Sequence, residues 1–256
     1  MTDHWAQGVD FERANAARIY DYFLGGAQHF AVDRAQAARI LELHPDMART
    51  CRVNRDFLRR VVRWCSARGI DQFLDLGSGV PTVGNVHEVA PAARVAYVDF
   101  EPVAVEHARA LTLDLERVRV VHADLTVPYE VIEAAAGHLD LGRPVAVLAV
   151  AVLHFVADDV AAVLERYRDA LVPGSVLAIS HGSTDLDDPA LAERIRALRD
   201  GYRGSASEVV LRDRGELTRV AEGFELLAPG MVDVADWPAP TGEQPVGAYA
   251  VVGLRT

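Results

Sequence analysis

From residue 12 to residue 68, apolar side chains recur every three or four positions. Ile19, Tyr22 and Phe23 form one such group, Ala37, Ile40 and Leu41 a second, and Val53, Phe57, Val61 and Trp64 a third. That spacing predicts three amphipathic helices, over 12–24, 33–47 and 50–68. Gly25-Gly26 and Gly69 supply the stops, and Asp33 is the expected N-cap of the second helix. After residue 69 the pattern changes. Short apolar runs at 72–76, 94–99, 118–122, 145–152 and 176–180 alternate with helical segments near 81–90, 102–115, 128–136 and 158–171. This alternation predicts an α/β fold whose parallel strands are joined by right-handed crossovers. Two further helices, over 188–202 and 213–222, precede two late strands, 224–232 and 247–254. Such a pair suits an antiparallel edge on a parallel sheet. Residues 1–68 are expected to form a helical lead-in and residues 69–256 the sheet domain, one structural unit overall, with a loose terminus at 1–10.

The first predicted strand runs into Gly77-Ser78-Gly79-Val80-Pro81-Thr82. Strand, glycine turn and helix start are the layout of a nucleotide-cofactor site. Gly77 and Gly79 permit a sharp turn and close approach of a ligand, and Pro81 suits the first turn of a helix. Asp99 ends the second strand, where a carboxylate accepts from both ribose hydroxyls; the alternative is a cap on the helix from Pro102. Glu101 is a weaker candidate for the same task. Asp124, after the third strand, is placed to accept from an adenine amino group with Leu125 beside the ring; the alternative is an Asx-turn. Ser78 and Phe100 join this cofactor set as neighbours of the glycines and of Asp99. Asp75 separates two cofactor classes, because its carboxylate at the turn repels a pyrophosphate and attracts a cation. The third glycine of the dinucleotide pattern is replaced by Thr82, and no Lys follows the turn. Adenosine recognition with a cationic end points to S-adenosyl-L-methionine, already an activated methyl donor.

His154 follows the fourth strand as a candidate base or substrate contact, and His181 is placed similarly after the fifth; packing or capping is the alternative for both. Around the diglycine, Tyr20, Tyr22, Gly25 and Gly26 suggest a lid over the cofactor with the glycines as hinge, against a plain helix hairpin. No metal site is read. The formal net charge of −11 argues against nucleic acid or an anionic membrane as partner. Arg49, Arg52, Arg55, Arg59, Arg60 and Arg63 are read as a solvated helix face. The two cysteines, Cys51 and Cys65, form no ligand cluster and are expected to stay reduced. With no signal-like or membrane-spanning run, the protein is expected to be soluble and cytoplasmic.

Several segments together resemble an actinobacterial family of S-adenosylmethionine-dependent methyltransferases once catalogued as a domain of unknown function. They are Asn15-Ala16-Ala17-Arg18-Ile19-Tyr20-Asp21-Tyr22-Phe23-Leu24-Gly25-Gly26, Phe30-Ala31-Val32-Asp33-Arg34, Asn54-Arg55, the stretch from Phe73 to Thr82, Asn85-Val86-His87-Glu88, Tyr97-Val98-Asp99, Val152-Leu153-His154-Phe155, and Pro173-Gly174-Ser175 with Ser180-His181. The resemblance implies a Rossmann-like, seven-stranded sheet with a reversed last strand. It also implies Gly77 and Gly79 beside the methionine part, Asp99 on the ribose and Asp124 near adenine. The expected activity is methyl transfer from S-adenosyl-L-methionine to a small-molecule acceptor. The rivals are a non-catalytic module that only binds this cofactor, and a nicotinamide-dependent oxidoreductase.

Overall fold

The computed structural model describes residues 9–256. The loose terminus expected at 1–10 therefore falls, for residues 1–8, outside the described residues. Three helices come first: α1 (Ala16–Phe23), α2 (Ala31–Leu43) and α3 (Met47–Ser66). The alternating part follows as β1 (Gln72–Leu76), α4 (Val86–Val89), β2 (Arg94–Asp99), α5 (Pro102–Leu111), β3 (Val118–His122), α6 (Pro128–Ala136), β4 (Ala146–Val150), a 3-10 turn (Leu153–Phe155), α7 (Val160–Asp169) and β5 (Val176–Gly182). The chain closes with α8 (Pro189–Gly201), α9 (Arg214–Val220), β6 (Glu225–Leu226), β7 (Val232–Asp233), a 3-10 turn (Val234–Asp236) and β8 (Ala248–Leu254).

The strands lie in the order β3-β2-β1-β4-β5-β8-β6, with β7 also paired to β8. β1 to β5 are parallel, and β8 runs antiparallel to β5. The sheet is thus the predicted α/β arrangement with a reversed last long strand and helices on both faces. It has eight strands rather than seven, because the run expected at 224–232 breaks into β6 and β7. Pro229 has no N–H for the ladder, and Gly230 turns the chain at a φ of 91°.

Alternation along each strand divides the core. Leu74, Leu76, Val147 and Ala149 face α6, α7 and α9 through Val131, Leu164 and Leu217. Phe73, Val95, Ala146 and Leu148 face α3, through Phe57, Leu58, Val61 and Val62. A third cluster joins Ile19, Phe23, Ala37, Ile40, Met47, Cys51 and Tyr202. It packs the N-terminal helices against the residue that caps α8.

Several helix boundaries differ from expectation. The helix expected from residue 12 begins at Ala16, where the Asn15 side chain accepts the Ala17 N–H as N-cap. Asp33 is not an N-cap: α2 begins at Ala31, and the Asp33 carboxylate reaches back to the N–H groups of Phe30 (2.7 Å) and Asn15 (3.0 Å). The helix expected near 81–90 shrinks to α4, leaving Pro81 in a loop. Gly84, at a φ of 68°, interrupts the approach, and Asn85 becomes the N-cap, its N–H bonded to Glu88 Oε2 (2.8 Å). No described helix is long and apolar enough to cross a membrane.

Candidate functional site

Strand order reverses at β1, which lies between β2 and β4. Ligands of open α/β sheets bind at such a switch point, outside the carboxyl ends of the strands. A cavity of about 1460 Å³, including its open mouth, lies there. Its floor is made by the turn after β1 and by the ends of β2, β3, β4 and β5, and its walls by α1, α3, α8 and the segment 202–211.

The glycine turn is shaped by its neighbours. Gly77 has a φ of 64°, and a Cβ there would come within 2.1 Å of a Val152 methyl, so no larger residue fits. Gly79 donates its N–H to Asp99 Oδ2 (2.7 Å), and Glu101 donates its N–H to Asp99 Oδ1 (2.9 Å). Asp99 is therefore fixed against the turn while lining the cavity. Burial pushes its carboxyl above the usual range. Asp75 alternates onto the face of Phe73, toward α3, and is only 6% exposed. No hydrogen bond to its carboxylate is found among the described residues. Burial raises its pKa to about 7, opposed by Arg55 and assisted by Asp99.

The opposite wall comes from one stripe of α3. Cys51, Asn54, Arg55 and Leu58, at spacings of three and four, line the cavity, and the same face continues as Val61, Val62 and Cys65 into the core. Arg55 is only 7% exposed, its Nε has no partner, and its guanidinium lies 5.6 Å from the centre of the Tyr20 ring. The expectation of a solvated arginine face is thus corrected. Arg52 and Arg63 are exposed, but Arg55 enters the site, and Arg60 donates to the carbonyls of Trp237 (2.7 Å) and Val234 (2.5 Å). Tyr20 donates to the Cys51 carbonyl (3.0 Å) and accepts from Asn54 Nδ2 (2.9 Å). Asn54 Oδ1 accepts from Ser180 Oγ (2.6 Å), whose oxygen accepts the Ala151 N–H (2.9 Å). Ala151 sits in the left-handed region at a φ of 56°, so this chain of bonds holds a strained turn off β4.

His154 and His181 meet at the far end, ring centres 5.5 Å apart. Arg212 always donates. Its guanidinium lies 3.1 Å from His181 Nε2, which must accept; the proton is then on Nδ1, donated to the Gly182 carbonyl (2.7 Å). Burial lowers the His181 pKa to about 4. Arg212 also holds the carbonyls of Leu153 and Val156, each at 2.8 Å, and so fixes the 3-10 turn that carries His154. The His154 carbonyl accepts the Val210 N–H (2.8 Å), but its ring has no hydrogen-bond partner among the described residues, and Nδ1 is buried. Burial, with His181 and Arg212 nearby, lowers its pKa to about 3.

Of the residues singled out in the sequence, Tyr20, Asp75, Gly77, Ser78, Gly79, Asp99, Phe100, Leu125, His154 and His181 come together around this cavity. Tyr22, Gly25, Gly26 and Asp124 stand outside its lining. Tyr22 packs edge-on against Phe23 and His29. Gly26 lies so close to Asp21 that a Cβ would come within 1.9 Å of its carboxylate. Asp21 in turn accepts from Thr82 Oγ1 (2.7 Å) and from the Gln28 N–H (2.8 Å). Gly26 thus makes room for Asp21, which ties α1 to the β1 loop through Thr82, the residue where the dinucleotide pattern has glycine. Asp124 is exposed, and its Oδ1 accepts from the Thr126 N–H and hydroxyl, both 2.8 Å, in the Asx-turn. Glu101 pairs with Arg18 (3.1 Å), which also holds Asp33 (3.0 Å). Sequence reasoning missed Arg55, Asn54, Ser180 and Arg212 as parts of the site. The stripe Cys51, Asn54, Arg55 and Leu58 was a signal for the first two; nothing local marked Arg212.

Residues 2–254 match the family model described as S-adenosyl methyltransferase. A protein from Thermobifida fusca YX assigned to the methyltransferases has a similar structure, with a TM-score of 0.89 and 35% identity over 97% of both chains. A DUF574 family protein from Streptomyces avermitilis MA-4680 gives a TM-score of 0.88 and 32% identity over 96% of this chain and 99% of that one. The magnesium protoporphyrin IX methyltransferase of Synechocystis PCC 6803, solved with bound S-adenosylhomocysteine, shares the fold at a TM-score of 0.54 and 15% identity over 93% of both chains. None of the curated proteins matches the chain.

Proposed function

The chain belongs to the S-adenosyl methyltransferase family, and from this premise we propose that it methylates a small-molecule acceptor bound beside the cofactor at the β1–β4 switch point. The observation that carries the reading is the Asp75 carboxylate, buried beside Gly77, Gly79 and Asp99 without a donor of its own. A buried carboxylate in that state is costly unless a ligand meets it. Arg55 Nε, on the facing α3 wall of the same cavity, is also without a hydrogen-bond partner. The Asp75 carboxylate and the Arg55 guanidinium fit the ammonium and carboxylate of an amino-acid end, and open space beside Gly79 leaves room for it. The residues therefore fit S-adenosyl-L-methionine.

In this reading Asp99 receives the ribose hydroxyls, since each of its oxygens keeps a lone pair beyond the backbone bonds it accepts. Phe100 and Leu125 flank the base. Asp75 and Arg55 hold the amino-acid end. The bound cofactor supplies an activated methyl group on sulfur, which a nucleophilic atom of the acceptor takes up. The protein's own task is then alignment and exclusion of water. Tyr20 and the α3 stripe close one side, and the strained turn at Ala151 closes the other. His154, neutral at physiological pH, presents an unpaired ring to the acceptor as a hydrogen-bond partner for its polar group. A cell extract incubated with methyl-labelled S-adenosyl-L-methionine, with and without the added protein, tests the proposal. Label that depends on the protein is expected in a small-molecule product separable from the cofactor; protein-dependent label confined to protein or nucleic acid would contradict a small acceptor.

A further inference from the structure

We infer that the acceptor is an electrically neutral, largely apolar molecule held between α3, α8 and the segment 202–211. The inference rests on the methyltransferase reading above and specifies its second ligand. Charge around the cavity is segregated. Its lining contains four side chains of Asp, Glu, Lys or Arg type, namely Arg55, Asp75, Asp99 and Glu101, and all four adjoin the glycine turn and the β2 end. Glu101 is already paired with Arg18. The remainder of the lining contains none. Its walls include Met47, Phe155, Leu198, Val209, Leu211 and Val246, and several of these belong to the third apolar cluster.

The cation that binds the His154–His181 end of this wall is not available to a ligand. Arg212 is engaged by two carbonyls and by His181 Nε2, and it is buried. The two histidines are neutral for a geometric reason as well as through burial. His181 accepts from a guanidinium with one nitrogen and faces a carbonyl with the other. His154 has no anion beside it to stabilise an imidazolium. A carboxylate, phosphate or ammonium entering here would lose its hydration with no free counter-charge to replace it. Nucleotides, free amino acids and sugar phosphates are therefore disfavoured as acceptors. What the wall does offer is apolar contact and a small number of neutral polar atoms. Thr50 Oγ1 and His154 Nδ1 are both buried without a protein partner. A neutral, largely apolar ring skeleton bearing a hydroxyl meets both demands.

Two naphthalene dyes of similar size distinguish the possibilities: neutral 6-propionyl-2-dimethylaminonaphthalene and anionic 1-anilinonaphthalene-8-sulfonate. Each is titrated by fluorescence into the full chain with saturating S-adenosylhomocysteine, whose own binding is first measured by calorimetry. One equivalent of the neutral dye is expected to bind with blue-shifted emission and at least tenfold more tightly than the anion. In Leu198→Arg, a half-buried position on α8, the preference is expected to invert. Failure of the neutral dye to bind, or equal or tighter binding of the anion to the wild-type chain, overturns the inference. If the variant does not fold, the wild-type comparison still decides. Absence of S-adenosylhomocysteine binding would instead defeat the cofactor seat, so the two failures are told apart.

Discussion

Asp75 carries opposing demands within one side chain. Burial raises its pKa to about 7 from 3.8, so the unfolded chain gives up this proton more readily than the folded one. Its contribution to stability is greatest below about pH 4, falls as pH rises toward 7 and is constant above. Asp75→Asn is expected to stabilise the free protein at pH 8 by roughly 2–4 kcal/mol and to leave it unchanged at pH 3. Urea unfolding at the two pH values measures both, and equal stability at pH 8 would remove the buried-charge argument. Binding has the opposite dependence. A cationic end requires the carboxylate, so wild-type affinity for S-adenosylhomocysteine is expected to rise up to about tenfold per pH unit below 7 and to level off above it. Calorimetry across pH 5.5–8.5 gives the slope, and a flat profile would mean that Asp75 does not meet the ligand's cation. Asp75, Gly77, Gly79 and Asp99 were legible in the sequence because one turn and one strand end place them at fixed spacing. Arg212 was not, because its partners Leu153, Val156 and His181 lie 31–59 positions away.

At the scale of elements, α1 is joined to the sheet by two polar links. Arg18 binds Asp33 and Glu101 with almost no exposure, and Asp21 binds Thr82. Arg18→Met leaves two buried carboxylates uncompensated and is expected to destabilise the chain by about 3–5 kcal/mol. Thr82→Val removes one hydrogen bond and is expected to cost about 1 kcal/mol. Denaturant midpoints at constant m-value check both, and a neutral Arg18→Met would show that the pair is not a structural tie. Periodicity located α3, β1, β2 and β5 to within a few residues, because each buries a long apolar face. It overextended the helix after the glycine turn and joined β6 to β7. Both errors come from single residues, Gly84 and Pro229, whose backbone constraints override a locally favourable pattern. Arg55 was placed on the wrong face because charge was weighed before its position on the α3 stripe.

Across the whole molecule, the helical lead-in and the sheet share a cavity, an apolar cluster and a further link, the Ala206 N–H to the Ala14 carbonyl at 2.8 Å. They are expected to unfold together. Far-UV circular dichroism, which reports the helices, and tryptophan fluorescence, from Trp5, Trp64 and Trp237, should give superimposable single urea transitions; two separated transitions would make the lead-in an independent lid. The parallel strands with an antiparallel edge were legible from alternation; the order of the strands was not. The cavity wall was not, since it forms only when residues 14–20 meet 202–211 across most of the chain. The central claim is that β1, β2 and the glycine turn form the seat of S-adenosyl-L-methionine, and its direct test is calorimetric titration of S-adenosylhomocysteine into wild type and Asp99→Ala. Loss of the ribose acceptor is expected to weaken binding by about 1–3 kcal/mol, roughly 5- to 150-fold; an unchanged dissociation constant in a folded variant would contradict the seat.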